Sequence, residues 1–164
     1  MRVGRRLGVD VGSVRIGVAV SDAAGAMALA LETVIRGSAR SDSDLDRLAV
    51  LAADHDAIEV VVGLPISLSG SEGRAAVSVR EYAGRLAPRL SVPVRLVDER
   101  LTTVDAQRAL TGAGVSGKRG RTVIDQAAAA MILQNALDAE RATGIPPGIT
   151  ITADAADASD QGGT

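Results

Sequence analysis

With 164 residues the chain is the size of one domain, long enough to bury roughly 70% of its unfolded surface in a single core. It has no cysteine and a single histidine, His55, which excludes a disulfide framework, a thiolate nucleophile, a zinc–thiolate site and a histidine-rich metal centre. The net charge is −2, but Asp154, Asp157 and Asp160 lie at the extreme C-terminus, so a polyanionic partner would have to meet a local basic patch of a near-neutral body.

Residues 7–12 alternate, with Leu7, Val9 and Val11 on one face and Gly8, Asp10 and Gly12 on the other, which is strand periodicity. A turn at Gly12-Ser13 leads to a second alternating run over 15–21, so the two read as a hairpin. Residues 28–35 form a third strand. After Ser41–Ser43, apolar Leu45, Leu48, Ala49 and Ala52 recur at helical spacing to about Asp54. The unbroken β-branched run Ile58–Val62 predicts a strand buried on both faces, ended by Gly63-Leu64-Pro65.

A Ser/Gly loop to Gly73 precedes a second helix reaching about Leu90. Another short strand covers Val94–Val97, and a third helix is expected from about Thr102 to Gly112 or Gly114. Gly114–Arg121 reads as a flexible basic loop, and a final Ala-rich helix as running from about Val123 to Ala142, where Gly144 and Pro146-Pro147 end it. The order implies an α/β domain over residues 1–151. Its sheet is mixed and five-stranded, an antiparallel three-stranded meander followed by two parallel strands joined through right-handed crossovers, with helices flanking it. Residues 152–164 read as a small, acidic, disordered tail.

The basic N-terminus is followed by an apolar stretch broken at Asp10, too short for a signal-peptide core, and no other run is long enough to span a bilayer. A soluble cytoplasmic protein with no membrane partner is expected. Tyr82 is the sole aromatic, so stacking of single-stranded bases is not expected. Lys118 is the sole lysine; arginine suits bidentate phosphate contacts, although the abundance of Ala, Gly and Arg is equally explained by coding bias.

Three acids stand where chemistry is possible. Asp10 is in a strand interior, where aspartate is disfavoured, and glycines flank it on its own face; a ligand carboxylate and a carboxylate bonded to a neighbouring turn explain it equally. Asp98-Glu99-Arg100 closes the last apolar strand, with Glu99 on the face of Arg95 and Val97; taken alone, solvated strand-end charges account for it. Asp125 shares a helical face with Ala129, Ile132 and Ala136, but Thr122-Val123-Ile124-Asp125 also has capping-box spacing. As a set, Asp10, Glu99 and Asp125 supply the hard oxygen ligands that Mg²⁺ or Mn²⁺ prefers. Two such ions about 3.5–4 Å apart could clamp a phosphodiester.

Two segments suit phosphate. Ser67–Gly73 offers hydroxyls, including that of Ser71, before a helix start at Arg74, and a generic loop and cap is the plainer explanation. Gly117–Arg121 places Lys118, Arg119 and Arg121 among glycines, and a solvated loop is its alternative. His55, between Asp54 and Asp56, reads as part of an exposed turn with no role.

The runs Gly8-Val9-Asp10-Val11-Gly12-Ser13 with Arg15-Ile16-Gly17-Val18-Ala19, Val61-Val62-Gly63-Leu64-Pro65, Val97-Asp98-Glu99-Arg100-Leu101-Thr102-Thr103 and Ile124-Asp125-Gln126-Ala127-Ala128-Ala129, in order across residues 5–145, resemble the YqgF/RuvX family of RNase H-like nucleases. The resemblance implies an RNase H-like fold with its acidic triad on Asp10, Glu99 and Asp125. It also implies a substrate groove bordered by the Gly63-Leu64-Pro65 and 118–121 segments, with Ser13, Arg15, Arg100 and Thr102 beside it. Members of the family are described as nucleases maturing the 5' end of pre-16S ribosomal RNA and as Holliday-junction resolvases, and a four-way junction would favour a homodimer. A nucleotide-binding fragment of actin or sugar-kinase type and a non-catalytic nucleic-acid-binding module are the alternatives.

Overall fold

The computed structural model describes residues 1–38, 40–67, 69–99 and 117–151, and only the backbone of 117–119 and 121. Strands β1 (Arg6–Val11), β2 (Arg15–Ser21) and β3 (Ala28–Ile35) form the antiparallel meander, and helix α1 (Ser43–Asp54) follows. Strand β4 (Glu59–Leu64) pairs parallel with β1, and β5 (Val94–Asp98) pairs parallel with β4. Between them lies α2 (Arg74–Leu86), tightened at its end into a 3₁₀ turn over Ala87–Arg89.

The sheet has six strands, not five. Residues Ile149–Ile151 form β6, antiparallel to β5 at the far edge, giving the order β3-β2-β1-β4-β5-β6. Three residues hold too little alternation to register as a strand, and here pairing with β5 supplies what periodicity cannot. The last helix, α3 (Gly117–Thr143), begins about two turns before its expected start. The segment 117–121 is therefore helical rather than a basic loop, despite two glycines that each cost helix stability. The third helix expected over 102–112 and the tail 152–164 lie outside the described residues.

Alternation splits the core across the sheet. Leu7, Val9, Ile16, Val18, Val60, Val62, Val94 and Leu96 face α1 and α2, where Leu45, Leu48, Val79 and Leu86 meet them. On the opposite face Ala19, Val61 and Val97 receive Ala129, Ile132, Leu133 and Ala136 of α3. Each Leu or Val buried in this way contributes about 1.5–3 kcal/mol relative to exposure. Among the described residues no helix is long and apolar enough to cross a membrane.

Candidate active site at the carboxyl ends of the parallel strands

Side chains of β1 alternate, so with Leu7 and Val9 packed toward α1 and α2, Asp10 must face α3. On β5 the same rule puts Glu99, one residue past the strand, on the face of Val97, also toward α3. Strand β4 runs between them. Its position at this level is Gly63, opposite Val97 in the β4–β5 ladder, and a Cβ there would lie 2.8 Å from Cγ and 3.0 Å from Oε1 of Glu99. Because Gly63 has no side chain, Glu99 can lean across β4 and its carboxyl group reaches that of Asp10 in a hydrogen bond.

Two carboxyl groups in hydrogen-bond contact must share a proton or repel. Burial, then the charge and hydrogen bond of Asp10, push Glu99 up to about 7. Asp10 is also raised, chiefly by burial, with the nearby charge of Asp125 adding to the effect and the hydrogen bond to Glu99 opposing it.

Asp125 reaches the site from α3, on the face of Ala129 and Ile132 that packs against the sheet. With α3 starting at Gly117, Asp125 lies in its third turn rather than its first. That removes the capping-box explanation, since Thr122 is interior to the helix. The depth of Asp125 is set by Gly17 on β2, the ladder partner of Asp10. A Cβ on Gly17 would fall 1.9 Å from the carbonyl oxygen of Asp125, so only glycine lets the α3 backbone press this closely on β2. Nε2 of the Gln126 side chain donates to Thr33 Oγ1 at 3.2 Å, and that hydroxyl donates to the carbonyl of Thr122 at 3.1 Å, tying the same turn to β3.

The structure brings Asp10 and Glu99 into contact but does not close the third acid onto them. The Asp125 carboxylate accepts a 2.8 Å hydrogen bond from Nε of Arg15, at the start of β2. Among the described residues no group of three or more acids and histidines stands close enough to hold a metal ion. The pair itself fits a hard cation, because two half-buried, hydrogen-bonded carboxyl groups offer oxygen ligands whose mutual repulsion a cation would relieve.

The remaining sites fare unequally. Ser13 is exposed in the β1–β2 turn, closed by the Gly12 amide donating to the Arg15 carbonyl at 2.9 Å. Ser71 is exposed, with its hydroxyl bonded to those of Ser67 and Ser69, and Arg74 is the exposed first residue of α2 after Gly73, which supplies no side-chain cap. Arg100 and Thr102 lie outside the described residues, and Lys118, Arg119 and Arg121 belong to the first turns of α3. From sequence, Gly63 reads as a strand terminator bordering the groove and Gly17 only as part of a family motif, whereas β4 runs through Gly63 to Leu64. Their signal was glycine on the same face as an acid, one strand away, which acquires meaning only once strand order is known.

A family model described as "RuvX: Holliday junction resolvase" matches residues 4–139. The chain belongs to the RuvX family. A Nocardioides relative is 57% identical over 154 residues, covering 90% of this chain and 96% of its own. A Thermobifida fusca relative is 56% identical over 156 residues with the same coverage, and both carry the name "Putative pre-16S rRNA nuclease". Thermus thermophilus RuvC, solved in complex with a Holliday junction substrate, has a similar fold, with a TM-score of 0.57 and 18% identity over 88% of this chain and 99% of that one. The RNase H-like architecture implied by the family's motifs is thus the observed one.

Proposed function

We propose that this RuvX-family chain is a nuclease that hydrolyses phosphodiester bonds of structured nucleic acid, with Asp10, Glu99 and Asp125 as its working acids. The relatives' names make 5'-end processing of pre-16S ribosomal RNA, in the cytoplasm, the first activity to test, and the family description makes four-way DNA junctions the second. The observation that carries this reading is the Asp10–Glu99 contact across Gly63, a pairing of half-buried carboxyl groups that nothing in the fold itself requires.

Asp10 and Glu99, with Asp125 as the third ligand, would hold one or two Mg²⁺ or Mn²⁺ ions. Bound there, the ions would supply water activation and stabilisation of the departing oxygen. The chain's own contribution is to hold the carboxylates at the open carboxyl ends of β1, β4 and β5, where a phosphodiester can approach, and to exclude water from behind them with Ile132 and Val97. Ser13 and Arg74 are exposed and would contact backbone phosphates. We assign catalysis to residues 1–151 and expect removal of 152–164 to leave turnover intact. On a four-way junction, symmetric cuts require two sites, and a homodimer would supply them.

Incubating the full chain with Mn²⁺ and, in parallel, a pre-16S transcript and a four-way DNA junction, then mapping the ends, tests the assignment. Asp10→Asn should lower cleavage by about three orders of magnitude or more while the circular dichroism spectrum is retained. Undiminished turnover by Asp10→Asn would falsify the assignment. Cleavage of neither substrate by the wild-type protein would remove the nuclease reading.

A further inference from the structure

At the mouth of the site one basic residue is engaged in a way that substrate contact alone does not explain. Arg15 and Gly17 are two apart on β2 and therefore share the face toward α3. At Gly17 the α3 backbone around Asp125 lies directly against β2, so side-chain torsion is the route by which the Asp125 carboxylate can move without shifting the helix. Nε of Arg15 holds that carboxylate at 2.8 Å, in a pair that is about one-quarter exposed on each side. Neither terminal nitrogen of Arg15 has a hydrogen-bond partner among the described residues. Among the described residues the outer edge of the guanidinium is thus available while its inner edge is occupied.

We propose that Arg15 is a phosphate-operated latch, which keeps Asp125 away from the Asp10–Glu99 pair until a nucleic-acid phosphodiester takes its place on the guanidinium. The exchange is chemically even-handed. A guanidinium binds carboxylate and phosphate through the same planar fork of donors, so an arriving backbone phosphate competes directly with Asp125. Once displaced, Asp125 keeps its backbone position but loses its partner, and its carboxylate is free to join Asp10 and Glu99. The three-acid cation site then assembles only in the presence of substrate. Arg15 acts through Asp125 as a positioning residue, and the proposal rests on the nuclease reading above.

The latch makes a prediction of sign that a fixed scaffold does not. If Arg15 merely held Asp125 in its working place, removing it would weaken cation binding; if it holds Asp125 away, removal strengthens it. Mn²⁺ binding to the full chain, measured calorimetrically without nucleic acid, should tighten by roughly five-fold or more in Arg15→Gln. The gain should vanish when Asp125→Asn is already present, whereas a simple loss of positive charge would act in both backgrounds. Binding of a four-way junction in the presence of a chelator should have a salt dependence about one unit shallower in Arg15→Gln, for one lost phosphate contact. Arg15→Met repeats the series should the glutamine variant fold poorly. Weaker or unchanged Mn²⁺ binding, a gain that persists with Asp125→Asn, or an unaltered salt slope would each overturn the latch. A wild-type chain that binds Mn²⁺ yet cuts no substrate counts instead against the nuclease reading, because the calorimetric comparison does not depend on cleavage.

Discussion

The face of the sheet beneath α3 carries ionisable groups at both ends, and the two ends treat them oppositely. At the amino ends of the parallel strands, Arg6 of β1, Glu59 of β4 and Arg95 of β5 meet Arg2 and, from the far end of α3, Glu140. Every acid there has a cation. Glu59 accepts from Arg2 at 2.9 Å and from Arg95 at 3.0 Å, while Glu140 accepts from Arg2 at 2.9 Å and lies 3.4 Å from Arg6. The hydrogen bond from Arg2 is the main reason that the Glu140 carboxyl is held down at about 2. About 22 Å away along α3, fifteen residues at 1.5 Å each, the half-buried Asp10 and Glu99 press against one another and Glu99 is pushed up to about 7. Fully buried acids and cations are structural where opposite charges are matched. Where like charges are forced together, the end is poised for a ligand that would match them.

Glu140→Ala strikes the matched end. It leaves Arg6, fully buried and already with an unpartnered Nε among the described residues, without its carboxylate, and should cost about 3–5 kcal/mol in denaturant unfolding. Cleavage by the remaining folded protein should be unchanged. A loss below about 1 kcal/mol would mean that the network is not the anchor described.

Gly17→Ala attacks the unmatched end through the backbone. Its methyl group would meet the Asp125 carbonyl, so α3 must shift; we expect on the order of 1–3 kcal/mol of destabilisation and about a hundred-fold slower cleavage from the misplaced acid. Normal kinetics would show that Asp125 need not sit at this depth.

Glu99→Gln should have the opposite sign of stability change from Glu140→Ala, and a pH signature. The folded chain keeps the Glu99 proton up to about 7, whereas the unfolded chain releases it near the ordinary 4.5. The stabilisation carried by the protonated pair is therefore complete below pH 4.5 and is lost as the pH rises through 7. Thermal melts should show no advantage of Glu99→Gln at pH 4 and a growing Tm gain toward pH 8. A gain independent of pH would contradict a shared proton. The smallest effect is expected away from both ends: Arg47→Ala removes the exposed pair with Glu32 and should cost no more than about 1 kcal/mol, lost at high salt.

Much of this architecture was legible in local pattern. The alternation of Leu7, Val9 and Val11 placed Asp10 on the correct face, and the phase of Val97 did the same for Glu99. The spacing of Ala129, Ile132 and Ala136 identified the packing face of α3, although the glycines before it concealed where that helix begins. Neither β6 nor the buried ion network had a local signature. One is three residues long, and the other joins Arg2 to Glu140 across 138 positions.

Sequence by itself determined which side of each element is apolar, because strand and helix periods are local properties of the chain, and with that it determined the faces on which the three acids lie. Only tertiary structure decided their partners. Strand order placed Gly63 between Asp10 and Glu99, the approach of α3 to Gly17 set the depth of Asp125, and Arg15 took the carboxylate of that third acid. Those outcomes depend on distances between segments far apart along the chain, which no pattern within a segment can encode.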